Sequence, residues 1–160
     1  IAIRDQAQQA IERVERLSAA RAVNENWAAD CTRNQVTNTR RCFAGTFGED
    51  SGQEWPFQVV FYDQSGPFIE VGRHDFPGRS PLVRFDNDAS AFTIKDDGGV
   101  TAPRPQQKVV NRMLSAQIAY ARFYKFPYVQ DMTVNVSGFS EAWERLIQLR
   151  DGAPAPAESI

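Results

Sequence analysis

WAADCTRNQVTNTRRC, residues 27–42, holds both cysteines of the chain, Cys31 and Cys42, and between them only Val36 is apolar. The flanking runs, NENWAADC and RRCFAGTF, carry aromatic and small residues suited to strands. As neighbouring antiparallel strands they bring Cys31 and Cys42 face to face at the mouth of a polar loop. A bridge there closes a loop of about twelve residues, worth on the order of 3 kcal/mol in the chain-entropy model. A buried thiol pair, a metal site and a redox pair are the alternatives. Two cysteines and the single histidine, His74, do not complete a tetrahedral metal site without carboxylates. Redox pairs usually take the form C-x-x-C at a helix start, and this spacing differs. The structural disulfide is the favoured reading, and it places the chain outside the reducing cytosol.

Downstream, WPFQVVFYD, PFIEVGR, PLVRF and AFTIK continue the pattern of short β-branched and aromatic runs. Turn chemistry separates them, at Gly48–Gly52, Asp63–Pro67, Phe76–Gly78, Asp86–Asp88 and Asp96–Gly99. Short strands so bounded predict antiparallel sheet. Phe57, Val59 and Phe61 fall on one face, with Gln58, Val60 and Tyr62 on the other. Beyond Pro105 the period changes. Val109, Val110, Met113, Leu114, Ile118 and Ala121 form a helical stripe through QQKVVNRMLSAQIAYARF. DMTVNVS then alternates as a strand. SGFSEAWERLIQLRDG reads as a closing helix, with Ser137 as N-cap, Glu141 in the first turn and Gly152 past the end. Its expected apolar face is Phe139, Trp143, Leu146 and Ile147, with Leu149 near its edge.

Upstream, IAIRDQAQQAIERVERLSAARA has apolar residues at helical spacing: Ile3, Ala7, Ala10, Val14 and Leu17. This amphipathic helix either docks on its own domain or offers a two-heptad seam to a partner helix, weak by itself with alanine at two positions. The expected organisation is an N-terminal helix over 1–22, one β-rich domain over 23–150 and a flexible Ala/Pro tail over 151–160. The chain opens on isoleucine, a pattern that a cleaved secretory leader or an N-terminal membrane anchor would leave. No run of about 18 apolar residues is present to span a bilayer. A length of 160 residues suits one core, and a net charge of −2 supplies no global field for nucleic acid or anionic membrane.

Trp27 four residues before Cys31, Cys42 opening the next strand, a β-rich middle and a late GF-x-x-A helix start (Gly138, Phe139, Ala142) resemble the invasion-associated locus B family. The resemblance runs from about Trp27 to Leu149 and departs from the family pattern in lacking a second, later cysteine pair. It implies a secreted or periplasmic bacterial protein, a β-sandwich with accessory helices and no established catalytic activity.

His74 directly precedes Asp75, yet neighbours on a strand point to opposite faces, so this pair is not a dyad. No G-x-S-x-G, phosphate loop or H-E-x-x-H occurs. His74 reads as a surface or turn residue, with a pH-sensitive contact as the next reading. Arg73, Arg79 and Arg84 form one cationic segment and Arg33, Arg40 and Arg41 another. Both read as solvated faces; if the fold brings them together, an acidic partner or phosphates are the alternative. Asp86, Asp88, Asp96 and Asp97 lack a calcium-loop pattern and read as turn residues. YARFYKFPY concentrates Tyr120, Phe123, Tyr124, Phe126 and Tyr128. One side of an element cannot hide them all, so some are expected to meet a neighbour.

The resulting expectation is a mainly β, α+β protein, sandwich-like by the family resemblance. It is expected to be non-catalytic, with no cofactor and no metal. It is expected at the periplasmic or extracellular face of a bacterial inner membrane, as a subunit or assembly factor of a larger, possibly membrane-bound, complex. The partner-binding residues are then Ile3, Ala7, Ala10, Val14, Leu17, Tyr120, Phe123, Tyr124 and Tyr128. A free periplasmic ligand-binding or stress- and virulence-related domain is the alternative.

Overall fold

The computed structural model describes residues 21–47, 56–74, 78–94 and 104–152. The N-terminal helix, the Asp96–Gly99 turn and the Ala/Pro tail lie outside the described residues. Strands β1 (Trp27–Arg33), β2 (Arg40–Thr46), β3 (Phe57–Tyr62) and β4 (Ser65–Val71) form one antiparallel sheet in that order. Strands β5 (Leu82–Phe85), β6 (Phe92–Thr93), β7 (Ile118–Lys125) and β8 (Tyr128–Asn135) form a second, ordered β6-β5-β7-β8. Two helices complete the described fold, α1 (Gln107–Met113) and α2 (Phe139–Arg150). The mainly antiparallel, β-rich α+β class is therefore as expected.

Turn chemistry sets the first sheet. The Asn34 side-chain oxygen accepts the Val36 and Thr37 N–H groups, and Asn38 takes a positive φ of 58°. These local bonds hold the polar loop without an apolar anchor. Strand pairing then sets Cys31 directly opposite Cys42, and the two form a disulfide. Asp63, at φ 51°, makes the tight turn from β3 into β4. Phe57, Val59 and Phe61 enter the core as the alternation requires, and Gln58 and Tyr62 are more exposed.

Both sheets and both helices contribute to one hydrophobic cluster. Helix α2 lies against β1 and β2, burying Phe139, Ala142, Leu146 and Leu149. Trp143 and Ile147 are only partly buried, so the apolar face is rotated slightly from the expected one. The Trp27 ring meets Phe139 at 4.9 Å between centroids, and its Nε1–H donates to the Val136 carbonyl. Ser137 is not the N-cap. Gly138 holds that place at φ 84°, a left-handed conformation that glycine adopts without a Cβ clash. The Asn24 side-chain amide donates to the Gly138 carbonyl, while its oxygen accepts the Asn26 and Trp27 N–H groups. Trp27, Gly138 and Phe139 thus meet at the β1–α2 junction.

The helix expected through Phe123 is corrected. It ends at Met113, and Ile118 and Ala121 belong to β7. Ala119, Ala121 and Phe123 alternate inward, which satisfies a period of two. The carboxylate of Asp86 accepts the Gln117 and Ile118 N–H groups at the strand start, drawing this backbone into the sheet.

Candidate functional site

The β7–β8 hairpin carries the aromatic cluster, and strand parity sorts its members. Phe123 points inward and is 2% exposed, so it is corrected from partner-binding residue to core residue. Its ring closes on the end of β4: a Cβ added at Gly72 would fall 2.5 Å from it. Tyr120 points outward and is 41% exposed, with the Arg84 guanidinium 4.5 Å above its ring. Tyr124 is half-buried. The His74 ring meets it edge-on, and Arg79 lies 5.3 Å from its centroid. Tyr128 is 67% exposed at the start of β8.

Two exposed residues beside them, one from the cluster and one aliphatic, lie outside the expected partner-binding set. Phe126 and Val129 are 72% and 57% exposed. With Tyr128 they form an apolar tip around the Phe126–Pro127 turn. The Phe-Pro pair was the available signal, because a turn between strands turns its side chains toward solvent. The other expected partner-binding residues, Ile3, Ala7, Ala10, Val14 and Leu17, lie outside the described residues.

Strand β8 is also a sheet edge. Its register with β7 runs unbroken from Ile118 opposite Asn135 to Lys125 opposite Tyr128. The Val136 N–H donates to the Gln117 carbonyl at 2.8 Å. Antiparallel alternation then turns the main-chain groups of Val129, Asp131, Thr133 and Asn135 away from β7. Among the described residues no strand pairs with that side. The outer face beside it holds a groove of about 550 Å³ between Arg84, Tyr120, Arg122, Asp131 and Thr133. Arg122 forms a two-point bond with Asp131, at 2.7 and 2.9 Å. Those bonds hold the Asp131 carboxyl below the usual carboxylate range. The pair is largely exposed, so water screens it and it adds little to stability.

The remaining candidates serve the fold. His74 follows β4 in a turn, and its Nδ1 accepts the Tyr124 N–H at 3.1 Å, marking Nδ1 as the unprotonated nitrogen. Asp75 lies outside the described residues. Asp86 and Asp88 both bind Arg112, at 3.2 and 2.8 Å. The Arg33, Arg40 and Arg41 side chains diverge. Arg33 donates to Asn38, Arg40 to the Arg150 carbonyl at the end of α2, and Arg41 to Glu70 and Gln58. Arg33 and Arg41 line a polar groove of about 460 Å³ with Tyr62, whose hydroxyl is pushed up chiefly by burial and then by Glu70. No described helix is long and apolar enough to cross a membrane. Compared with known proteins, the chain matches no family model, no curated protein and no solved structure.

Proposed function

We propose that this chain is a non-catalytic interaction protein that works outside the cytosol as a subunit or assembly factor of a larger, possibly membrane-bound, complex. The observation that carries this reading is the apolar tip of the β7–β8 hairpin, where Phe126, Tyr128 and Val129 are exposed beside a strand edge with which no described strand pairs. Exposed aromatic residues next to open main-chain groups are features of protein–protein contacts. The Cys31–Cys42 disulfide supports an oxidising compartment, and the locus B resemblance favours the bacterial periplasm within this proposal. The seam at Ile3, Ala7, Ala10, Val14 and Leu17, read from sequence alone, is a second surface within the same proposal.

Gentle isolation of the native species, from membranes and from soluble extract, tests the reading. A large complex with cross-links at Tyr120, Tyr128 or residues 1–22 is the expected result. A lone chain near 18.0 kDa in the soluble fraction overturns it.

A further inference from the structure

We infer that the outer edge of β8, which no described strand covers, pairs with β8 of a second copy of this chain, antiparallel across a two-fold axis. The inference rests on the hairpin being an interaction surface, and it names the partner. Sheet edges are normally guarded by lysine, proline, a bulge or brevity. Strand β8, YVQDMTVN, has none of these: it is eight residues long and keeps an unbroken register with β7. Its one charge, Asp131, is already bound by Arg122. The opposite edge of the same sheet, β6, has only two residues.

The occupant follows from the side chains. An incoming strand must stay extended over a similar length and must not bring a carboxylate against Asp131. A second β8 meets both conditions in one register. With Met132 on the axis, Asp131 lies opposite Thr133 of the other copy, and Val129 opposite Asn135. Shifting the register by one pair in one direction sets Asp131 against Asp131, which like charges disfavour, and in the other sets Thr133 against Thr133 and leaves three outward pairs instead of four. In the favoured register the outward groups of both strands coincide and make about eight main-chain hydrogen bonds. The contact is isologous, so it closes as a dimer instead of propagating. Each hairpin tip then runs alongside the residues that follow β8 in the other copy, which covers Phe126 and Tyr128.

Sedimentation velocity of the purified, oxidised full chain over a wide concentration range tests this. A reversible monomer–dimer equilibrium is expected. Thr133→Pro removes an outward N–H without touching the ladder to β7, and should leave a monomer with an unchanged circular dichroism spectrum. Two further variants read the register even if the proline variant does not fold. Thr133→Lys sets an ammonium opposite Asp131 and should tighten the dimer, whereas Thr133→Asp should weaken it by about tenfold or more. A wild-type chain that stays monomeric throughout overturns the pairing. So does a dimer indifferent to the charge at position 133. Either result leaves the wider interaction reading to the native isolation, which alone decides it.

Discussion

Trp27 shows how a single side chain ties strand to helix in this protein. Its ring fills the space between β1 and Phe139 of α2, and its indole N–H satisfies the buried Val136 carbonyl. The two contributions separate by substitution. Trp27→Phe retains an aromatic surface but leaves that carbonyl without its donor, a loss of about 1–3 kcal/mol. Trp27→Ala also opens a cavity at a fully buried site, raising the cost to about 3–5 kcal/mol. Urea unfolding of both variants checks the order; equal losses would show that the hydrogen bond contributes nothing measurable. Gly72 works at a comparable scale, where β4 ends against Phe123. At φ 54° a side chain is strained, and its Cβ would sit 2.5 Å from the Phe123 ring. Gly72→Ala is therefore expected to lower stability by at least about 1 kcal/mol from the backbone alone, with the displaced ring adding to it. Thermal melts that coincide with wild type would contradict this close approach.

At the scale of elements, one ionic clamp joins three of them. Asp86 follows β5, accepts the N–H groups that open β7, and binds Arg112 in α1. Its carboxyl is held below the usual carboxylate range, chiefly by the Ile118 N–H, with Gln117 and Arg112 adding to it against partial desolvation. The sign follows directly. The unfolded chain takes up this proton first as pH falls, so the clamp's contribution is complete above the unfolded carboxyl's range and is lost on acidification through the folded one. Asp86→Asn should flatten the stability profile below about pH 5; an acid limb as steep as wild type would remove Asp86 from the account. The same clamp explains why helical spacing in the sequence runs on into a strand, β7. Leu114, Ile118 and Ala121 happen to continue the spacing of Val109, Val110 and Met113. Ala119 and Ala121, small side chains on the inward face, hide the alternation that Phe123 completes. The bonds that stop the helix come from Asp86, far away in sequence, and no local pattern announces them. By contrast the β1–β2 and β3–β4 hairpins were legible, because their turn residues lie in the turns themselves. The aromatic cluster was legible as a group, but which members face solvent depended on strand parity, and parity depended on calling β7 a strand.

For the whole molecule, the disulfide ties the oxidation state of the compartment to the stability of the first sheet. Cys42 is buried in the common core, while Cys31 sits partly exposed two residues before the end of β1, so the bond fastens the polar hairpin to the cluster that both sheets share. Closing this loop of about twelve residues is worth on the order of 3 kcal/mol. Domains of this size hold about 5–15 kcal/mol in total, so the bond is a sizeable fraction of the margin. Reduction, or the paired Cys31→Ser and Cys42→Ser substitutions, should lower Tm by roughly 6–12 °C for a chain of this length. The β1–β2 loop should lose hydrogen-exchange protection before the α2 face does, because α2 keeps its contacts with Trp27 and Phe61. Mass spectrometry supplies the companion measurement on chain taken from its native source: alkylation only after reductant marks the bond as formed there. Equal alkylation with and without reductant would remove the oxidising compartment from the proposed function. A Tm unchanged by reduction would instead show that the strand pairing of β1 with β2 carries the hairpin by itself.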